Sequence, residues 1–194
     1  VPMIETGAGV CHTYIDRSAN IQVAQAIVVN AKTRRPSVCN SLDTLILHRN
    51  QIDNLPTIVE GLSRAGVELR ADEQSYDQLD GHYPDALLKA ATPEDFGTEF
   101  LSLRLAIKTV DSLGEALAHI ATHSSKHSEA IVTDSDQPAE QFLRDVDAAK
   151  PGRMHDVGGV ASAKADDESA VAAGGVQHRY QGERHLGADL RPRV

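Results

Sequence analysis

The chain has 194 residues, of which 41% are hydrophobic, and its formal net charge at pH 7 is −9. This length allows one ordinary domain with its own core, and the hydrophobic content is typical of globular proteins. The negative charge argues against nucleic acid as a partner, and no apolar run approaches the length of a membrane span. Two cysteines do not form a disulfide framework, and no basic stretch leads into an apolar one near Val1, so we predict a cytoplasmic protein.

The first part of the chain alternates strand-like and helix-like patterns. The runs VPMIE and VCHTYID predict strands around the turn TGAG. Asp16 and Ser18 offer caps for a helix whose apolar residues repeat every three to four positions between Ile21 and Ala31. The run DTLILHR predicts a strand. A helix is then predicted from Pro56 to Gly66, followed by the strand VELR.

The same alternation continues to about residue 149. The run LSLRLAIK has a two-residue period, which predicts a strand with one apolar face. Ser112 and Glu115 match a capping box at the start of the next helix. EAIVT predicts a further strand, and residues 136–148 predict a final helix. Strands alternating with helices of this length indicate an α/β protein with a mostly parallel sheet flanked by helices.

The character of the sequence changes near Lys150. Residues 151–194 contain seven of the fourteen glycines but no Ile, Phe, Thr or Asn. Such a segment buries too little apolar surface to offset its ordering entropy. We therefore divide the chain into a body at 1–149 and a divergent, low-complexity, poorly ordered tail at 150–194. Either a reading-frame change near Ala148–Pro151 or an authentic tail explains the change.

One cysteine stands at a position that is suited to chemistry. Cys39 follows Lys32, Arg34 and Arg35 in the stretch NAKTRRPSVCN, and nearby cations stabilise a thiolate. Pro36 ends the preceding helix, so Cys39 falls in a turn between a helix and a strand, where α/β enzymes often hold reactive groups. A small buried cysteine is the alternative interpretation.

Several segments together resemble a known family. They are VPMIETGAGVCHTYID, IVVNAKTRRPSVCNSLDTLILHR, GVELR, EDFGTEFLSLRLAIKTVDSLGEALAHI and HSEAIVTD. In order and spacing they are similar to the C-terminal half of gamma-glutamyl phosphate reductases, also called glutamate-5-semialdehyde dehydrogenases, of the aldehyde dehydrogenase superfamily. The resemblance covers residues 1–149 as a partial catalytic domain. The family usually has Gln where this chain has Arg34.

The resemblance implies an activity and a set of site residues. The activity is NADPH-dependent reduction of L-glutamyl 5-phosphate to L-glutamate 5-semialdehyde, a step of proline biosynthesis, through a thioester on Cys39. Glu5 matches the superfamily's catalytic glutamate, which here acts in catalysis or only in structure. Glu99 matches the glutamate that binds the nicotinamide ribose. Because an arginine can grip a phosphate or carboxylate with two hydrogen bonds, we assign substrate binding to Arg34 and Arg35, together with Asn40.

The departures from the family lead to further expectations. The cofactor-binding half is missing from this sequence, so we expect this chain alone to be inactive. A family strand that should follow the helix at 136–148 is also missing, which would leave the neighbouring strand with an unpaired edge. We expect Cys11 to be structural, and we predict no metal site. The intact enzyme is expected to form a homo-oligomer and to bind glutamate 5-kinase. The rival interpretations are another aldehyde dehydrogenase and a non-catalytic assembly partner.

Overall fold

A computed structural model describes residues 9–154 of the chain. Within them, seven parallel strands form one sheet in the order β4-β3-β5-β2-β1-β6-β7. The strands are β1 His12–Ile15, β2 Thr44–His48, β3 Glu68–Ala71, β4 Leu88–Ala90, β5 Arg104–Val110, β6 Ser128–Val132 and β7 Lys150–Met154. The helices are α1 Ile21–Thr33, α2 Leu55–Arg64, α3 Glu73–Leu79, α4 Leu113–His123 and α5 Asp136–Asp145. The predicted α/β class with a mostly parallel sheet is confirmed.

Helices cover both faces of the sheet. A large core, with Leu45, Leu47 and Ile107 from the sheet, packs against α1 and α2 on one face. A smaller core on the other face joins Tyr14 and Ile46 to α4 and α5. Because the central strands are buried on both sides, they contain consecutive apolar residues, as in the run LIL of β2 and the run LAI of β5. No helix in the part of the chain that the structure describes is long and apolar enough to cross a membrane.

The helix ends follow the predicted signals with two differences. The cap of α1 is Asn20, whose side chain accepts from the N–H groups of Gln22 and Val23. Asp16 accepts hydrogen bonds from Ser18 and Thr133 instead, so it joins the ends of β1 and β6. The capping box of α4 is half-formed. The Ser112 hydroxyl accepts from Glu115 N–H, but the Glu115 carboxylate reaches the N–H of Asp111.

The predicted strand at 101–108 begins later than its pattern indicated. Leu101 and Leu103 are exposed, and β5 starts at Arg104. Within the strand Leu105, Ala106 and Ile107 are all buried, because β5 lies between β3 and β2 with both faces covered. The two-residue alternation therefore did not mark one buried face. Two short elements, α3 and β4, lie in the stretch from 72 to 92, to which the sequence analysis assigned no structure.

The expectation of an unpaired edge beside β6 is wrong. Residues Lys150–Met154 form β7, which pairs with β6 in parallel from Ser128↔Lys150 to Val132↔Met154. The preceding helix ends at Asp145, which leaves four residues to reach the new strand. An edge strand tolerates Pro151 and Gly152, because only one side of it needs backbone partners. Five residues of the predicted tail thus join the body, and residues 155–194 lie outside the described part of the chain.

Candidate active site

Cys39 lies in the turn between α1 and β2, at the amino-terminal edge of the sheet. The turn contains two reversals, in which Val38 N–H donates to the Arg35 carbonyl at 3.4 Å and Ser41 N–H donates to the Val38 carbonyl at 3.0 Å. Cys39 is a free, exposed cysteine. The buried alternative for Cys39 is therefore wrong. A substrate could therefore approach this residue from solvent.

The predicted substrate-binding residues lie in the same turn as Cys39. Arg34, Arg35 and Asn40 are all exposed. Arg34 is the residue just after α1, and its N–H donates to the carbonyl of Asn30 at 3.2 Å. Two guanidinium groups and an amide therefore stand on the solvent side of the turn, where an anionic group could approach them.

Glu99 and Cys39 meet at Gly9. A side chain built on Gly9 would place its Cβ 2.6 Å from the Cys39 carbonyl oxygen and 3.1 Å from Cys39 Cβ. The same point lies 2.9 Å from Oε1 of Glu99. Only a residue without a side chain fits there, so Gly9 brings the two predicted site residues together. The sequence predicts a turn at this glycine but carries no signal of its close contact with Cys39 and Glu99.

Cys11 is buried beneath this site. Its thiol donates to the carbonyls of Gly9, at 3.4 Å, and of Cys39, at 3.2 Å. Burial, with a smaller contribution from Asp43, raises the pKa of Cys11 to about 12. The thiol therefore stays protonated at neutral pH, as its predicted structural role requires. His12 faces the opposite way and contacts Glu129 through Nδ1, so the two neighbours form no Cys–His pair.

Lys32 has a different position from the one that the sequence analysis expected. It does not stand beside the thiol in the turn but is fully buried, with Nζ 3.7 Å from Oδ1 of Asp43. Burial lowers the pKa of Lys32 and raises that of Asp43, and each charge opposes the shift of the other. In the sequence, the only sign of this buried pair is a lysine at the end of the apolar face of α1, and nothing marks Asp43 as its partner.

The predicted catalytic residue Glu5 and three histidines spaced four residues apart complete the set of candidate groups. Glu5 lies outside the described residues. His119 and His123 lie on α4, whereas His127 follows its end. Across residues 9–154 no three His, Cys, Asp or Glu side chains are grouped to hold a metal ion.

The sheet and its flanking helices define an aldehyde dehydrogenase-like fold. An acetylating aldehyde dehydrogenase from Geobacillus thermoglucosidasius superposes with a TM-score of 0.56 at 18% identity, over 76% of this chain and 40% of that one. At this identity the likeness concerns the fold alone.

Greater similarity is found to one family of that fold, gamma-glutamyl phosphate reductase. The enzyme of Chlorobaculum parvum is 57% identical over 149 residues, which are 77% of this chain and 36% of the relative. The Bacteroides fragilis enzyme is 53% identical over the same shares. The structure of the Thermotoga maritima enzyme has a TM-score of 0.72 at 40% identity, over 79% of this chain and 36% of that one.

The resemblance stated from the sequence is therefore confirmed for a partial segment. The chain spans about 36% of the length of these curated relatives. No protein-family model matches the chain.

Proposed function

We propose that Cys39 is the nucleophile of a gamma-glutamyl phosphate reductase reaction, which converts L-glutamyl 5-phosphate to L-glutamate 5-semialdehyde. One observation carries this proposal. The exposed residue Cys39, through its carbonyl oxygen and Cβ, and the carboxylate of Glu99 meet at Gly9, within a chain that is 52–57% identical to such reductases over 149 residues. A cysteine suits the reaction because its thiolate is a strong nucleophile that divides one difficult reduction into two easier steps.

The proposed reaction passes through a thioester on Cys39 and requires a hydride donor as its second reactant. The thiolate attacks the acyl carbon, a C–S bond forms, and the bond from that carbon to the phosphate oxygen breaks to release phosphate. NADPH, when bound, supplies a hydride to the thioester carbon. The resulting alkoxide re-forms the carbonyl as the C–S bond breaks, which releases the semialdehyde and restores the thiolate. The Cys39 N–H would stabilise the negative oxygen in both steps.

Substrate recognition falls to the exposed side of the turn. Arg34 and Arg35 would bind the phosphate or the carboxylate of the substrate, and Asn40 would donate a hydrogen bond from its amide. Arg34 replaces the glutamine that is usual in the family. Because glutamine cannot form the same charged, two-point contact, Arg34 would add affinity for an anion rather than supply an essential contact.

Glu99 is the proposed contact of the nicotinamide ribose. Its carboxylate can accept hydrogen bonds from two hydroxyl groups, and the missing side chain of Gly9 lets this carboxylate lie close to the backbone of Cys39. These residues fit a nicotinamide cofactor placed next to the thiol, and NADPH is the form we propose. Glu5 stays a predicted catalytic residue, with a purely structural role as its alternative.

The activity of the whole enzyme needs more than this segment. Because the chain spans about 36% of its relatives, we propose that this polypeptide alone does not oxidise NADPH with glutamyl phosphate. A homo-oligomer, contact with glutamate 5-kinase and a cytoplasmic location stay predictions for the intact enzyme.

The test is a chimera in which residues 1–149 replace the matching segment of the Thermotoga maritima reductase. Phosphate-dependent oxidation of glutamate 5-semialdehyde with NADP+ measures the reaction in reverse. We expect activity in the chimera and at least a thousandfold loss in Cys39→Ala, because no other group can form the thioester. Cys11→Ser is the matched control. It replaces the thiol donor with a hydroxyl donor and should retain most of the activity.

The outcomes separate the rival functions. Equal activity in Cys39→Ala and the parent chimera would refute the proposed nucleophile. Faster oxidation of simple aldehydes than of the semialdehyde would indicate a different aldehyde dehydrogenase. A folded chimera without activity on any aldehyde would favour a non-catalytic role for the segment.

A further inference from the structure

A buried ion pair lies directly behind the proposed site. Nζ of Lys32 is 3.7 Å from Oδ1 of Asp43, and the two side chains are 0% and 2% exposed. Both residues stand at the amino-terminal edge of the sheet, Lys32 near the end of α1 and Asp43 just before β2. Nothing in the chemistry proposed for Cys39 uses either charge.

Asp43 holds the two segments that flank Gly9 and Glu99. Its Oδ2 accepts from the N–H of Cys11 at 3.4 Å, two residues after Gly9. Its Oδ1 accepts from the N–H of Phe100 at 3.1 Å, next to Glu99. Its backbone also bonds to both sides, with the N–H donating to the Cys11 carbonyl at 3.0 Å and the carbonyl accepting from Ala106 N–H at 2.8 Å.

Lys32 holds the third segment, which carries Cys39. Nζ donates to the Leu42 carbonyl at 2.8 Å, so the lysine closes the turn that contains Cys39 across its base. The same ammonium lies 5.9 Å from the centroid of the Phe100 ring. The pair therefore contacts all three segments that meet at the site.

A buried ion pair by itself adds little to the free energy of unfolding. Removing two charges from water offsets most of their attraction, and apolar residues of similar volume often stabilise a core as well. What apolar residues cannot do is bind three separate backbones in a fixed arrangement. The backbone next to Phe100 needs such a restraint, because Leu101 has a φ of 49°, which a bulky residue rarely adopts.

We propose that Lys32 and Asp43 are positioning residues, whose buried pair holds the segments of Gly9, Cys39 and Glu99 in the arrangement needed for thioester formation and reduction. The inference rests on the proposed function for the meaning of that arrangement. The arrangement itself can be tested without any reaction.

The experiment uses the 194-residue chain with the double substitution Lys32→Met and Asp43→Asn, which removes both charges and keeps similar volumes. Asp72→Asn is the matched control. Asp72 also accepts from two backbone N–H groups, of Ser75 and Thr109, and pairs with a lysine, Lys108, but at the opposite edge of the sheet. The readouts are thermal unfolding, amide hydrogen exchange and the rate of Cys39 alkylation by iodoacetamide.

We expect the double variant to unfold within a few degrees of the parent but to exchange the amides of Cys11 and Phe100 at least tenfold faster. Cys39 should then be alkylated at the rate of a thiol in the denatured chain. Asp72→Asn should change neither readout at these residues. Parent-like protection of both amides in the double variant would overturn the positioning role.

A measurement on the parent chain keeps the proposal testable if the double variant does not fold. As denaturant is added below the unfolding transition, the amides of Cys11, Asp43 and Phe100 should exchange through one shared opening. Opening equilibrium constants that differ more than tenfold among these amides would contradict a shared restraint by the Lys32–Asp43 pair. If parent Cys39 already reacts like a denatured thiol, the proposed nucleophile fails, while the exchange data still decide the role of the pair.

Discussion

At the scale of single residues, the candidate site depends on Gly9 having no side chain. Gly9 lets the Cys39 carbonyl and the Glu99 carboxylate approach the same point, and a methyl group there would lie 2.6 Å from a backbone oxygen. A backbone atom cannot rotate away as a side-chain end can. The turn that carries Cys39 must therefore shift if Gly9 gains a side chain.

Gly9→Ala should accordingly reduce the activity of the reductase chimera by about tenfold or more, because sub-ångström to 1 Å displacements of reacting groups are costly. Gly97→Ala is the control on the Glu99 side, since within the described residues its added methyl would meet only Nδ1 of His123, at an ordinary 3.5 Å. Steady-state rates of the two variants make the comparison. Equal rates would mean that the close approach at Gly9 does not matter for the reaction.

At the scale of elements, helices α1 and α2 pack so closely at one glycine that a larger residue would not fit there. Gly61 on α2 faces Val29 on α1, and an added Cβ would lie 2.7 Å from a Val29 methyl carbon. A β-branched side chain in a helix has one strongly preferred rotamer, so Val29 has little freedom to move away. The helices would have to separate.

Gly61→Ala should therefore lower the free energy of unfolding by about 1 kcal/mol, although alanine is the better helix former. Gly114→Ala on α4 should instead raise it by about 0.5 kcal/mol, because in the part of the chain that the structure describes the nearest atom to its methyl would be the Ser112 hydroxyl, at 3.8 Å. Urea unfolding measures both variants. Gly61→Ala combined with Val29→Ala should recover part of the loss, and stabilisation by Gly61→Ala alone would contradict the packing argument.

The elements also divide into those that the sequence predicts and those that it does not. Periodic apolar faces and turn residues such as Pro56 and Gly66 predicted α1 and α2, because these signals are local. Strand β7 carries no such signal, since Pro151 and Gly152 pair through the backbone alone. The residues Cys39 and Glu99 were predicted from the family motif. Asp43 was not, because its contact with Phe100 joins residues 57 positions apart.

At the scale of the whole molecule, the two edges of the sheet have different roles. Parallel α/β sheets commonly bind ligands at the carboxyl ends of their strands. Here Cys39 and Glu99 precede β2 and β5, at the amino-terminal edge. Polar groups at the carboxyl edge are instead bonded to one another, as Asp16 is to Thr133 and Asp72 to Thr109. These hydrogen bonds join strand ends at the carboxyl edge, whereas the residues proposed for chemistry lie at the opposite edge.

A cluster of aromatic rings between the sheet and α4 should make the free energy of unfolding depend on pH. His119 packs edge-on against His12 and Phe96, with ring centroids 5.9 Å and 5.3 Å away. Burial, with smaller contributions from nearby positive groups including His12, lowers the pKa of His119 from 6.5 to about 3. As the pH falls, the unfolded chain therefore takes up a proton on His119 before the folded chain does. The contribution of neutral His119 to the free energy of unfolding is complete above about pH 6.5 and is lost progressively between 6.5 and about 3.

His119→Phe removes the proton site and keeps an aromatic ring against Phe96. The buried Nε2 of His119 has no hydrogen-bond partner among residues 9–154, so the substitution breaks no hydrogen bond there. Between pH 7 and pH 4.5 the variant should lose about 1–2 kcal/mol less free energy of unfolding than the parent chain, after allowance for the partial exposure of the ring. Urea unfolding at both pH values measures this difference. His82→Phe, at an exposed position, tests whether loss of any histidine has the same effect. Parallel pH curves for the parent and His119→Phe would show that the cluster does not exclude the proton, and the acid sensitivity of the fold would then have to come from its carboxylates.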